Sequence, residues 1–573
     1  MSVRIPRLGI VVVSLAVSSL LCVPALTSIA DARAPGEAPS RHVPALTPGP
    51  DDALSRRLEA GTISAARYAL ERWASIVGRG VARRNPGATA PADLRSGTLF
   101  ARDLLLRLPY LGTRARARGE WLLARPTDGV NDPDTPFGTD VGYSVAEAPP
   151  VCDAEQCIHY VATTANKVPA ADTGGTIGVP DHVETVANVM GEVWAHEVGT
   201  LGYRPPKGDG ASGNDGGDAR FDVYLTNLGD DGLFGYCTSD DPHLTNGYRY
   251  GDMSAYCVLD NDYQSSEFGY LDPVLPLQVT AAHEFFHGVQ FAYDIFDDGW
   301  LLEGTAVWIE DEVYDDVNDN LQFLASGSPL TNPTTPLDKN VPARWYGSWI
   351  FFRFVSEYFG PGNAEAPVLI RRIWNKADAS NGGPDLYSTK AVATVVNNAT
   401  KGGVDWTFAK AFRDFGVWNV TPAKRYAEGA SYDPVEVQVE KTITASVSRF
   451  VTVGELDHLT HRYVQLKRAS GVAAGANLKV VVNGPPGVTG PVATVVTIRT
   501  EGTLATRAVA LGADGYGVVT VAFGSGIQRV VVVLANTSTR YVDCYDFAGV
   551  YSCNGGTPVD ENEVFRVTAK LLQ

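Results

Sequence analysis

The chain has 573 residues, 45% of them hydrophobic and 20% charged, with a formal net charge of −18 and seven cysteines. It is too long for a single domain at roughly 150 residues each, and its apolar content excludes a disordered chain. Beyond the first residues, no stretch is long and apolar enough to span a membrane.

Residues 1–32 read as a secretory signal. Arg4 and Arg7 form a basic start, residues 10–26 are apolar but broken by Ser14, Ser18 and Ser19, and Ala30-Asp31-Ala32 offers a small-x-small cleavage site before Arg33. Cys22 leaves with the signal, and Leu21 before it does not suit lipid attachment. The six remaining cysteines form an even set in an exported chain, which predicts disulfides. Proximity pairs Cys152 with Cys157, Cys237 with Cys257 and Cys544 with Cys553.

Residues 33–125 hold 16 Arg, no Lys and 8 Asp plus Glu, an excess of eight positive charges. With +1 in the signal, the rest of the chain carries −27. The basic segment lacks the interleaved aromatics of a nucleic-acid binder. It reads as a helical pro-segment or prefix spanning 33–149, docked electrostatically on the acidic body. Helical patterns cover residues 65–77 and 99–108.

From residue 150 strands and helices alternate. Strands are predicted at 158–163, 221–225 and 254–259, and a helix at 181–198. Two acidic, Gly-rich stretches, 172–181 and 209–222, could offer oxygen ligands to a structural Ca²⁺, although neither has the bidentate Glu of an EF-hand loop.

Residues 277–292 read as a buried helix carrying His283-Glu284-Phe285-Phe286-His287. Positions i and i+4 share one helix face, so His283 and His287 can hold one metal ion, and Glu284 can reach a water on it. A catalytic zinc needs a third protein ligand. Residues 300–314 form a second apolar helix bearing Glu303, which such a packed helix presents rigidly. Asp294, Asp297, Asp298 and Glu310 are the alternatives, with Glu310 better suited to orienting a ligand. His196-Glu197 has only half the motif.

The pair HEFFH and Trp300-Leu301-Leu302-Glu303-Gly304-Thr305-Ala306 resembles the gluzincin zinc metallopeptidases, over residues 150–430, and in particular secreted bacterial neutral metallopeptidases. The resemblance implies a zinc site at His283, His287 and Glu303, Glu284 as general base, and a peptide or protein substrate. It also implies a sheet strand bordering the cleft and pairing with substrate, for which 254–259 is the candidate, as the last strand before the helix. A tyrosine hydroxyl on the oxyanion is expected from the region of Tyr346. The G-[AG]-M-E-N segment of the aminopeptidases in this group is missing, which favours an endopeptidase.

Residues 350–360 are an apolar helical run. From about residue 440 short β-type runs separated by Gly and Pro predict a β-sandwich accessory domain at 440–573. His458 and His461 there match no ligand pattern and read as surface residues. The fold class is therefore α+β, with a metallopeptidase domain at 150–435. The reading is a secreted zinc endopeptidase. The alternatives are a non-catalytic surface-binding protein on this scaffold and a zinc amidohydrolase of a non-peptide substrate.

Overall fold

The structure is a computed structural model, and it describes residues 43–77, 95–128, 142–241, 250–360, 367–542 and 556–572. The signal segment and the Cys544–Cys553 pairing lie outside the described residues. The described residues belong to one compact unit of mixed helix and sheet, as the α+β reading expects.

The N-terminal part supplies α1 (Ala53–Glu59), α2 (Ala65–Ile76), α3 (Thr98–Leu105) and α4 (Thr113–Leu122). Ser64 caps α2 by accepting from the Arg67 amide. Every residue of α3 is buried, because this helix packs between α2 and the sheet that follows. That sheet runs in the order β1 (Val151–Cys152), β2 (Gln156–His159), β3 (Phe221–Thr226), β5 (Tyr256–Asp260), β4 (Gly235–Thr238). β2, β3 and β5 are mutually parallel, and β4 closes the sheet antiparallel to β5. Being covered on both faces, β3 and β5 are buried at every position.

Disulfides join Cys152 to Cys157 and Cys237 to Cys257. The second ties the edge strand to its neighbour at directly opposed positions. The expectation that residues 254–259 border the cleft is corrected here. β5 is an interior strand flanked by β3 and β4, so the edge belongs to β4.

Helix α5 (Asp181–Trp194) crosses the sheet and continues as a π-helical turn, Ala195–Thr200. It packs on α6 (Val274–Phe291), which packs in turn on α7 (Gly299–Val313). Both α6 and α7 are predominantly apolar and mostly buried, as central helices are. The helical body is completed by α8 (Pro342–Gly347), α9 (Trp349–Phe359), α10 (Val368–Ala377), α11 (Thr389–Asn397) and α12 (Phe408–Trp418).

The basic N-terminal segment does not dock by charge alone. Leu70, Trp73, Leu99, Leu104 and Leu122 lie in the same apolar core as the sheet and α6. Arg125, completely buried, binds Asp209 at 2.5 Å, Asp240 at 2.8 Å and also Asp222. Salt screens such buried pairs weakly. The same contacts occupy the second stretch considered for Ca²⁺, where Asp218 also pairs with Arg220 at 2.6 Å. In the first stretch Asp181 accepts from the Thr173 and Gly174 amides and Asp172 from Gly178.

The C-terminal part is two sheets around their own core. One has the order β11 (Leu504–Val509), β10 (Pro491–Arg499), β13 (Ile527–Asn536), β8 (Thr460–Arg468), β6 (Val439–Ile443). The other runs β12 (Tyr516–Ala522), β9 (Asn477–Asn483), β14 (Glu563–Leu572), β7 (Arg449–Leu456). In β13 the two-residue period sends Val530, Val532 and Leu534 into the sandwich core, while Val531, Val533 and Ala535 join the core of the helical body.

His458 and His461 are not surface residues. His461 stacks on Phe412 of α12, with ring centroids 4.4 Å apart, and donates from Nε2 to the Phe412 carbonyl at 2.9 Å. Burial pushes its pKa down to about 4, so the ring stays neutral. His458 lies between Asp338 (2.9 Å) and Glu561 (2.5 Å). The misreading arose because only the fold shows that this sheet is covered on both faces.

Candidate metal centre and the strand edge beside it

α6 places His283 and His287 one turn apart, with ring centroids 4.8 Å from each other. α7 lies against α6 and brings Glu303 to both: its Oε2 is 3.1 Å from His283 Nε2 and 3.7 Å from His287 Nε2. Ligand atoms of all three lie within 4.8 Å of one another, and all three residues are buried. Asp294, Asp297 and Asp298 do not join them. They organise the turn between the helices, where Asp294 accepts from the Phe296 amide, Asp297 from the Asp298 amide, and Asp298 from the Tyr387 hydroxyl.

The outer nitrogen of each imidazole is held. Glu310, two turns along α7 from Glu303, accepts from His283 Nδ1 at 2.6 Å. Gln290 Oε1 lies 2.7 Å from His287 Nδ1, and its amide nitrogen donates to the Leu302 carbonyl at 2.9 Å, tying α6 to α7. Both Nε2 atoms therefore face Glu303. Two imidazole nitrogens and one carboxylate oxygen, oriented by further carboxylate and amide groups, suit zinc. Gln290 was missed from sequence, although its position three residues after His287 was a usable signal.

The electrostatics reflect this crowding. Burial opposes protonation of His283, but the Glu303 and Glu310 carboxylates outweigh it and hold its pKa well above the ordinary range. Burial alone would raise Glu303, yet His287 and His283 hold it down at about 2. Tyr346, on α8, lies parallel to the His283 ring with centroids 6.1 Å apart. Burial, helped by Glu303 and Glu284, drives its phenol well above its usual pKa, so the hydroxyl stays protonated.

Glu284 faces the sheet edge. A side chain at Gly235 would meet its Cγ at 2.9 Å, so only glycine lets β4 approach α6 this closely. Cys237 Sγ lies 2.9 Å from the Glu284 carbonyl oxygen, which puts the Cys237–Cys257 bridge directly against the motif helix. Glu284 Oε2 accepts from the Thr98 hydroxyl at 2.7 Å, a contact spanning 186 positions that no local sequence signal marks. The space bounded by Arg95, Ser96, Thr280, His283, Glu284 and Tyr346 is a cavity of about 20 Å³, enough for one water.

No protein-family model matches this chain, and no curated protein matches it. Solved structures with partial likeness include the Aeromonas hydrophila periplasmic inhibitor of g-type lysozyme, PliG. It shows 11% identity over 24% of this chain and 100% of that one, with a TM-score of 0.15. A structure of infectious bursal disease virus, Gx strain, shows 14% identity over 22% of this chain and 31% of that one, TM-score 0.12. A family GH115 4-O-methyl-α-glucuronidase shows 8% identity over 52% and 38%, TM-score 0.13. Scores of this size carry no argument, so function is argued from the site.

Proposed function

We propose that this protein is a secreted, zinc-dependent endopeptidase of gluzincin type. The observation that carries the reading is the convergence of His283, His287 and Glu303 within 4.8 Å, on two packed helices, with Glu284 one residue from His283. When bound by these three residues, zinc would supply Lewis-acid activation of water and of the scissile carbonyl.

The chain's own groups supply the rest. Glu284 takes the proton from the attacking water and passes it to the departing amine. Tyr346, kept protonated by its surroundings, can donate a hydrogen bond to the oxygen that gains negative charge. Glu310 and Gln290 fix the imidazole orientations. The backbone groups of an edge strand can recognise an extended peptide without regard to side chain, which favours a polypeptide substrate over a small amide. Export is supported by the basic-then-apolar start of the chain and by the two disulfides. Among the described residues no helix is long and apolar enough to cross a membrane.

The test is metal analysis of the purified protein together with chelator-sensitive cleavage of casein. About one zinc per chain and cleavage abolished by chelation are expected. A metal-free chain, or cleavage indifferent to chelator, would sink the reading. Zinc without cleavage of any polypeptide, by this chain or by the variants at positions 97 and 98 described below, would leave the non-catalytic scaffold in its place.

A further inference from the structure

The edge strand beside Glu284 is already occupied by the chain itself. Residues 95–97 run parallel to β4: the Phe234 amide donates to the Arg95 carbonyl, and the Gly97 amide donates to the Gly235 carbonyl, both at 3.0 Å. Thr98 completes the contact. Its hydroxyl oxygen accepts from the Cys237 amide at 2.7 Å while its proton goes to Glu284 Oε2 at 2.7 Å. Three backbone groups of the edge and the carboxylate beside it are thus all engaged by four consecutive residues.

The segment is anchored at both ends. Arg95 binds Asp319 at 2.6 Å and lies over the Phe234 ring at 4.5 Å. Thr98 opens α3, which is buried throughout, and Arg102 of that helix donates to the Asp297 carbonyl at 2.7 Å in the turn between α6 and α7. Near Glu284 the remaining cavity, of about 20 Å³, has room for a water. A second cavity, of about 300 Å³, is lined by Glu303, Trp345 and Tyr346 together with Thr47, Ser96, Leu99 and Phe100 of the same N-terminal part. An extended substrate cannot pair with these backbone groups of β4 while this segment is in place.

We infer that Arg95–Thr98 is an intrachain plug that keeps the site latent, and that a polypeptide is hydrolysed only when the plug leaves the β4 edge. This rests on the peptidase reading above. The hydrogen bonding supports it. The Thr98 hydroxyl occupies a site on Oε2, and losing that donor opens this oxygen to water.

The experiment uses the full chain loaded with zinc and two variants. Thr98→Val keeps the shape and removes the hydroxyl. Gly97→Val adds methyls where even a Cβ would meet Trp73 at 3.0 Å and Tyr236 at 3.1 Å, levering the segment off the strand. The probes are an internally quenched peptide for hydrolysis and a peptide hydroxamate, which chelates zinc, for binding. Zinc content and thermal transition are read for each chain. Both variants should gain at least about tenfold in kcat/KM and in hydroxamate affinity, with Thr98→Ser staying at the parent level. In the parent, the Gly97 amide should exchange slowly, and saturating hydroxamate should release it.

Full parent activity, matched or exceeded by neither variant, would overturn the plug and leave the peptidase reading standing. So would Gly97 protection that persists with hydroxamate bound, a result that needs no variant. Loss of activity in Thr98→Val with zinc intact would make Thr98 a positioning residue for Glu284 and also overturn the plug. Tighter hydroxamate binding in both variants with no hydrolysis by any chain would uphold the plug and sink the peptidase reading.

Discussion

Glu284 and Glu303 are both buried carboxylates, one on each packed helix, and the geometry gives them different work. Glu303 points at the two imidazoles, so Glu303→Ala should lower zinc retention on dialysis, because two histidines alone leave the coordination short of a protein ligand. Glu284 is not among the three converging ligand residues and bonds Thr98 at the sheet edge, so Glu284→Gln should keep its zinc and fold while losing most hydrolysis. Cleavage at the parent rate would show that another group moves the proton. Glu310→Gln tests the orienting carboxylate: it removes the charge on His283 Nδ1 without disturbing packing. A loss of roughly 10- to 100-fold in zinc affinity is expected. Titration with a competing chelator measures it, and an unchanged affinity would confine Glu310 to packing.

Among the elements, β4 and its bridge matter most for the site. The Cys237–Cys257 bridge closes a loop of 20 residues and the Cys152–Cys157 bridge one of 5. In the chain-entropy model these stabilise by about 3 and about 2 kcal/mol. Cys237→Ser/Cys257→Ser should lower the melting temperature only slightly more than Cys152→Ser/Cys157→Ser, yet it alone should cost peptidase rate, because that bridge rests on the Glu284 carbonyl. Equal rates in both double variants would remove the bridge from the site. The helices carrying the motif were legible in sequence because α6 and α7 are long and predominantly apolar, and because a pair at i and i+4 specifies one face. The order of the strands was not. β5 precedes α6 in the chain, but the sheet inserts it between β3 and β4, and a crossover of that kind leaves no mark in local periodicity. Thr98 was illegible for the same reason, since its partner lies 186 positions away.

Across the whole molecule, charge is buried where parts of the chain meet. Arg125 joins the N-terminal part to three aspartates, and burial already pushes Asp209 up to about 6 despite it. Arg125→Met would strand these carboxylates, at a cost of about 3–5 kcal/mol. Denaturant unfolding should show it as a lower midpoint, and an unchanged midpoint would mean that the aspartates find water or protons cheaply. His458 links the helical body to the sandwich through Asp338 and Glu561. Burial lowers its pKa, but Asp338 and Glu561 outweigh that and raise it from 6.5 to about 9. A raised folded-state pKa gives stability that is complete below pH 6.5 and is lost as pH climbs through about 9. The ceiling on this contribution is about 3 kcal/mol. His458→Gln should flatten the stability profile between those limits, and an unaltered slope would assign the dependence elsewhere.

The double burial of β13 also bears on how the chain is made. Val531, Val533 and Ala535 finish the core of the helical body, although they lie more than 100 residues beyond its last long helix. Synthesised from the N-terminus, α12 must wait for the part of its cover that β13 supplies until residue 535 has emerged. The body therefore cannot mature domain by domain, and this packing step depends on contacts that span more than 100 positions, which form slowly. A ribosome that stops early releases a chain with an open core, a natural substrate for quality control. Only a chain translated past residue 535 can close the core that surrounds the helices carrying His283, His287 and Glu303.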